Sequence, residues 1–295
     1  MSAEAALDRI DLQSHSRHSD GDLTVPELVA AAAAAGVELL ALSDHDTVDG
    51  VDEALEAAAA HGIRLLTATE ISAVDGDYED LHVLGYGIDH HDERLLERLY
   101  GARADREARA DRMAALLGDA GYAVDDSVLS ARRDAGKPVG RPHLAAAVLG
   151  HPDNAEQLAR EGHADVTSFI RAYLIPGMPA YSGRTRPTVS EAIAWIHDAG
   201  GLAFWAHPFW DIAADADVLA ALDRYQAAGL DGVECFYVTH DAHQTLLLAR
   251  RAQELGLLRS ASSDYHGPEH RLFSRFLAYE RHGGSPELGR LISAG

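Results

Sequence analysis

The chain has 295 residues, 47% of them hydrophobic, which is enough for a substantial core and fits one large domain or one domain with an insert. Asp and Glu number 47 against 25 Lys and Arg, a formal charge of −22, and such a field repels long nucleic acids and anionic membranes. The N-terminus has no basic stretch followed by an apolar run, and no segment of about 20 apolar residues occurs, so a cytoplasmic protein with no membrane partner is expected.

The first predicted element is IDLQSHSRHSDG, Ile10 to Gly21. Ile10 and Leu12 lead a short strand into Gln13, His15, His18 and Asp20. Thr24 with Glu27 reads as a capping box, with Pro26 in the first turn of an alanine-rich helix that stops at Gly36. The next strand ends in Asp44, His45 and Asp46. A second alanine-rich helix stops at Gly62, and its strand ends in Glu70. The strand DLHVLGYGI then carries His82 near its start, so it must run differently from the others, or His82 must enter from an adjacent loop.

This alternation of helix, glycine and short apolar strand stops from about Asp92 to Pro187. DERLLERLYGARADREARADRMAALLGDAGY is a charged, periodic helix, GRPHLAAAVLG and DVTSFIRAYL are shorter ones, and IPGMPAYSGRTRPT is a proline- and glycine-rich return. Residues 92–187 are therefore expected to form a helical insert or lid, and 1–91 with 188–295 the main domain. A Thr188/Glu191 capping box restarts the pattern. Gly200 and Gly201 precede a strand ending at His207; GVECFYV leads to His240; LLRSASSDYHG ends in Asp264 and His266. The only cysteine, Cys235, excludes an internal disulfide and reads as a small core residue in its apolar run.

Helix, glycine and short apolar strand in alternation argue for a parallel α/β fold of barrel type. In such a barrel every parallel strand delivers its C-terminal end to one rim. His15, Asp20, His45, Glu70, His207, Asp264 and His266 should therefore meet there, with His82 beside them. Imidazole and carboxylate donors held together suit zinc, iron or manganese. Metals bound there would reverse the local sign and admit a small phosphorylated ligand, which needs further donors, preferably arginine; Arg141 and His143 in GRPH, and Arg184 and Arg186 in SGRTRP, are the candidates, Arg141 and Arg184 first. No phosphate-binding loop of the G-x-x-x-x-G-K type, no G-x-S-x-G elbow and no strand-following G-x-G-x-x-G competes with this reading.

DLQSHSRHSDG, LSDHDT, ATEIS, LHVLGYG, WAHPF and SSDYHG resemble the sequential motifs of the PHP (polymerase and histidinol phosphatase) family, over about nine tenths of the chain. The closer likeness is to its nucleotidase and nucleoside 3′,5′-bisphosphate phosphatase branch, with a helical insert. The resemblance implies a distorted (β/α)7 barrel holding two or three divalent ions (manganese, iron or zinc), a hydrolase in which a metal-bridging hydroxide attacks phosphorus, and catalytic roles for Glu70, His207 and Asp264. It implies three ligand sets: His15, Glu70 and Asp264; Glu70 as a bridge with His82 and His207; and Asp20, His45 and His266. Asp44 is expected to orient a neighbouring ligand, and His18 to lie at the surface. The departure is Gln13, which stands where the family has a histidine; its amide oxygen would be a weak, hard ligand. The implied substrate is a small phosphorylated molecule, a nucleoside monophosphate or bisphosphate, rather than duplex nucleic acid. The alternatives are a 5′-3′ exoribonuclease on short oligonucleotides, a histidinol-phosphatase-like enzyme, and a non-catalytic metal-binding module. His207 and His240 are the conceivable general acids.

Overall fold

Seven strands form one sheet in chain order: β1 (Ile10–Asp11), β2 (Leu39–Leu42), β3 (Arg64–Asp75), β4 (Tyr78–Tyr86), β5 (Leu202–Trp205), β6 (Gly232–Tyr237) and β7 (Leu258–Ser262). The computed structural model describes residues 8–134, 139–183 and 187–292. The last strand returns to the first. Leu12 N–H donates to the Ala261 carbonyl at 3.0 Å, and Ser14 bridges Tyr265 in parallel, so the sheet comes close to closing as a barrel. Neighbours pair in parallel except at β4, which is antiparallel to both β3 and β5. That inversion answers the expectation about His82. A strand running the other way starts at the rim where the rest end, and His82 pairs with Ser72, two residues past Glu70.

The helices that cover this sheet obey the local signals. Thr188 and Glu191 exchange capping hydrogen bonds at 2.9 and 3.2 Å ahead of α8 (Val189–Asp198). Gly36 and Gly62 follow α1 (Val25–Ala35) and α2 (Val51–His61) at φ 79° and 69°, a conformation that costs other residues steric strain. β2, β5 and β6 are buried along their whole length, as parallel strands covered on both faces must be. Cys235 lies in this core with Phe204 and Phe236.

The chain divides into two compact units, residues 1–100 with 186–295, and residues 101–185. The first holds the sheet. The second has its own apolar cluster, including Met113, Leu117, Tyr122, Leu144, Val148 and Phe169. The long charged helix is α3 (Glu93–Asp119); GRPHLAAAVLG gives α5 (Arg141–Leu149) and DVTSFIRAYL gives α7 (Val166–Tyr173). The sequence reading missed α4 (Asp126–Asp134) and α6 (Ala155–Glu161), which are short, polar and each bury one leucine. Among the described residues no helix is long and apolar enough to cross a membrane.

One carboxylate ties the two ends of the sheet together. Asp11 is fully buried; it accepts hydrogen bonds from Ser263 N–H at 2.8 Å, the Ser263 hydroxyl at 2.7 Å and Leu277 N–H at 2.7 Å. Asp11→Ala leaves three donors short of an acceptor and is expected to cost about 3 kcal/mol or more in urea denaturation. A loss below about 1 kcal/mol would show that water replaces the carboxylate there.

Candidate metal centre

The rim gathers its donors through tight local structure. The SDG turn brings Asp20 back over His15, and a Cβ on Gly21 would lie 1.9 Å from the His15 carbonyl oxygen, so only glycine fits. Asp46, His207 and Asp264 are non-glycine residues with positive φ (54°, 29° and 53°). Each such conformation costs about 1–3 kcal/mol and persists where surrounding bonds over-determine it. Here the bonds are visible. The Asp46 carboxylate accepts from Ser72 N–H and the Ser72 hydroxyl, His207 N–H donates to Glu234, and the Tyr237 hydroxyl donates to Asp264 Oδ2 at 2.7 Å.

Glu70 is the centre. It is fully buried, and its two carboxylate oxygens face different partners. Oε1 lies 2.9 Å from His82 Nδ1 and 3.2 Å from His207 Nε2. Oε2 lies 3.1 Å from His15 Nε2 and 3.6 Å from His45 Nδ1. His15 Nε2 is also 3.0 Å from Asp264 Oδ1, and Asp20 stands 3.4 Å from His266 and 3.6 Å from His45. Three groups of donor atoms, each within 4.8 Å of one another, result: His15, Asp20, His45 and His266; His45, Glu70 and His82; and His15, Glu70 and Asp264.

Burial alone would push these carboxylates toward the neutral form, but the histidines overcome it. They hold Glu70 and Asp20 well below the usual carboxylate range, and Asp264 at about 2. Three anionic groups thus share one small volume at neutral pH. His15 Nδ1, His45 Nδ1 and Asp264 Oδ1 are buried and have no hydrogen-bond partner among the described residues. Buried imidazole and carboxylate atoms left without partners fit a divalent cation, which would displace the imidazole protons, and they are costly without a partner. Side chains of this type can hold zinc, iron or manganese.

The PHP domain family matches residues 11–282 of the chain. The chain belongs to this family. A 3′,5′-nucleoside bisphosphate phosphatase of Chromobacterium violaceum is 36% identical over 88% of this PHP chain and 87% of its own length. A 5′-3′ exoribonuclease of Haemophilus influenzae is 34% identical over 88% and 90%. Among solved structures, a Bifidobacterium adolescentis protein assigned as a metal-dependent phosphoesterase superposes with a TM-score of 0.71 at 28% identity, covering 96% of this chain and 93% of that one. The expected distorted barrel is therefore the fold of this PHP domain.

All eight histidine and carboxylate positions read from the motifs meet at the rim. His45 approaches Glu70 as well as Asp20, and His15 faces both groups. Asp44 is buried and occupied: it accepts from Ser16 N–H, the Ser16 hydroxyl and the Ser19 hydroxyl at 2.6–2.7 Å, which fixes the loop bearing His15 and Asp20. His18, expected at the surface, is half-buried, because the turn folds it against the Gly50 side of the barrel. His240 is buried with Nδ1 on the Cys235 carbonyl at 3.2 Å, and burial pushes it down to about 4, so it is neutral at pH 7 and unsuited to donate a proton. His143 caps α5, its Nδ1 accepting Gly140 N–H at 3.0 Å. Arg141 begins the same helix in the second unit, and Arg184 and Arg186 lie outside the described residues.

Gln13 differs from the expectation. Its amide nitrogen donates to Glu70 Oε2 at 2.9 Å, and its oxygen is turned to the Ser262 hydroxyl at 3.3 Å. An ionised carboxylate can only accept, so the nitrogen must face it. The lone pair that a ligand role needs therefore points away. Gln13→His exchanges this donor for an imidazole and is expected to tighten divalent-metal binding about tenfold and shift preference toward softer metals. Chelator competition measures both. Unchanged affinity, stoichiometry and preference would show that Gln13 exerts no influence on the centre.

The sequence reading also passed over Glu234, Tyr237 and Ser262. Glu234 accepts from His207 N–H at 2.9 Å and is hydrogen-bonded to Ser262. A glutamate inside the apolar run GVECFYV is the signal that could have marked it, since a carboxylate in a covered strand needs a specific partner.

Proposed function

We propose that this phosphoesterase hydrolyses small phosphate monoesters, nucleoside monophosphates or nucleoside 3′,5′-bisphosphates, at the rim cluster with two or three divalent ions. The observation that carries the reading is Glu70, whose two oxygens address two separate sets of donors. In this reading Glu70 would bridge, with His15 and Asp264 completing one set, His82 and His207 a second, and Asp20, His45 and His266 a third. Manganese, iron or zinc suits these donors. Bound there, the ions supply Lewis acidity toward the phosphoryl oxygens and activate water at neutral pH.

The chain's own part is to hold those donors in place before substrate arrives. Tyr237 ties down Asp264 Oδ2 and leaves Oδ1 toward His15. Gln13 and Asp44 do the same for Glu70 and for the His15 loop. Glu70, His207 and Asp264 are the residues assigned catalytic roles. Arg141, His143 and Arg184 are the proposed substrate contacts. Arg141→Ala is expected to raise KM about tenfold with metal content unchanged, and an unaltered KM removes it from the site.

Charge supports small substrates. A net charge of −22 repels an extended polyanion at long range, whereas bound cations attract one compact phosphate at short range. With manganese present, kcat/KM for a mononucleotide or a nucleoside bisphosphate is expected to exceed that for duplex DNA by about a hundredfold or more. A short single-stranded RNA in the same panel tests the second reading, 5′-3′ exoribonuclease action, which the Haemophilus relative favours. Duplex DNA as the best substrate would overturn the charge argument.

A further inference from the structure

Directly after the rim histidine of WAHPFW the chain makes a turn, with Trp210 N–H donating to the His207 carbonyl at 2.8 Å. The turn leaves the Trp210 indole 51% exposed, while Trp205 is 1% exposed. Isolated exposed apolar side chains are ordinary and need no explanation. Trp210 is not isolated. Its ring centroid lies 6.5 Å from that of His207 and 5.6 Å from that of Phe273. Phe273 in turn sits 5.3 Å from His266 and 4.9 Å from His270, stacked nearly parallel on the latter. A continuous run of ring contacts thus leads from two donors of the cluster, His207 and His266, to a half-exposed indole.

We propose that Trp210, backed by Phe273, is the platform on which the nucleobase of a nucleotide substrate stacks while its phosphate occupies the rim cluster. The inference rests on the phosphoesterase reading above and adds the class of leaving group. An ester phosphate held at the cluster must project its alcohol away from the buried donors. Beside them a half-exposed indole offers a flat π-surface on which an aromatic base stacks more fully than a ribose ring can. Stacking of this kind accepts any base, since every base has a π-face. The phosphate is addressed by the cluster and the base by Trp210, so the two ends of the substrate are recognised independently.

The test compares two esters with the same sugar phosphate, one with a base and one without. Steady-state kinetics with manganese on adenosine 5′-monophosphate and on ribose 5-phosphate, for the unmutated protein, Trp210→Ala and Trp210→Phe, separate the terms. Trp210→Ala is expected to raise KM for the nucleotide about ten- to a hundredfold. Its constants for ribose 5-phosphate should stay within about twofold, and Trp210→Phe should recover most of the loss. Equal effects on both esters, or none on the nucleotide, overturn the platform. If the unmutated protein hydrolyses neither ester, the mononucleotide part of the reading above fails instead. Calorimetric titration of the manganese-loaded protein with the same two compounds then decides the platform alone: selective loss of nucleotide binding in Trp210→Ala upholds it, and unchanged binding removes it.

Discussion

Glu70→Ala is expected to lower kcat by about a thousandfold or more while leaving the protein folded. The size of the effect follows from position. Glu70 Oε1 lies 2.9 Å from His82 and 3.2 Å from His207, and Oε2 lies 3.1 Å from His15 and accepts from the Gln13 amide at 2.9 Å. Removing one side chain therefore takes an oxygen from both sets of donors, and each ion placed there contributes several kcal/mol of charge stabilisation in the reaction. The main chain at this position does not depend on that side chain. Glu70 N–H donates to the Asp44 carbonyl at 3.3 Å and its carbonyl accepts from Asp46 N–H at 2.9 Å; both are main-chain bonds that alanine keeps. The histidines relieved of their counter-charge can deprotonate, so no isolated charge is left buried. Glu70→Gln, which keeps shape and loses charge, should be nearly as inactive. Turnover at saturating manganese, circular dichroism and metal content on the same preparation measure all three claims. A folded Glu70→Ala protein with turnover within about tenfold of normal would falsify the bridging assignment.

What could be read from sequence was whatever local chemistry dictates. Glycines after alanine-rich helices marked Gly36 and Gly62 as left-handed caps, and the short apolar runs between them became buried strands. The rim donors were legible because a parallel barrel sends every strand end to one side, a rule that needs no contact information. The reversal of β4 was visible only as an anomaly, His82 coming too early. The orientation of Gln13 was not legible at all. It depends on Ser262, 249 residues away, and on which end of the amide meets Glu70. Glu234 and Tyr237 were hidden because side-chain partners across strands leave no periodicity. In the second unit, α4 and α6 escaped because helices burying one leucine each carry almost no apolar stripe.

Removal of divalent ions by a chelator is expected to abolish turnover, again by about a thousandfold or more, and manganese should restore it. The structure gives the reason in its unsatisfied atoms. Without a cation, ionised Asp20, Glu70 and Asp264 crowd together in a largely buried space, and His15 Nδ1, His45 Nδ1 and Asp264 Oδ1 lack hydrogen-bond partners among the described residues. A cation supplies the missing partner to several of these atoms at once. It must therefore bind the folded state far better than the unfolded one, and linkage then makes it a stabiliser, by about 2.7 kcal/mol at a hundredfold excess over its dissociation constant. Two independent readings should thus move together: activity and thermal midpoint fall on chelation and recover on titration with manganese, with midpoints at the same free metal concentration. Elemental analysis after reconstitution should find at least two ions per chain, since the donor groups are distinct and share only His15, His45 and Glu70. Under one ion per chain, or activity that survives chelation, would remove the metal centre from the chemistry. A thermal midpoint that recovers at a different metal concentration from activity would show that the ion that stabilises the fold and the ion that sustains turnover occupy different sets of donors.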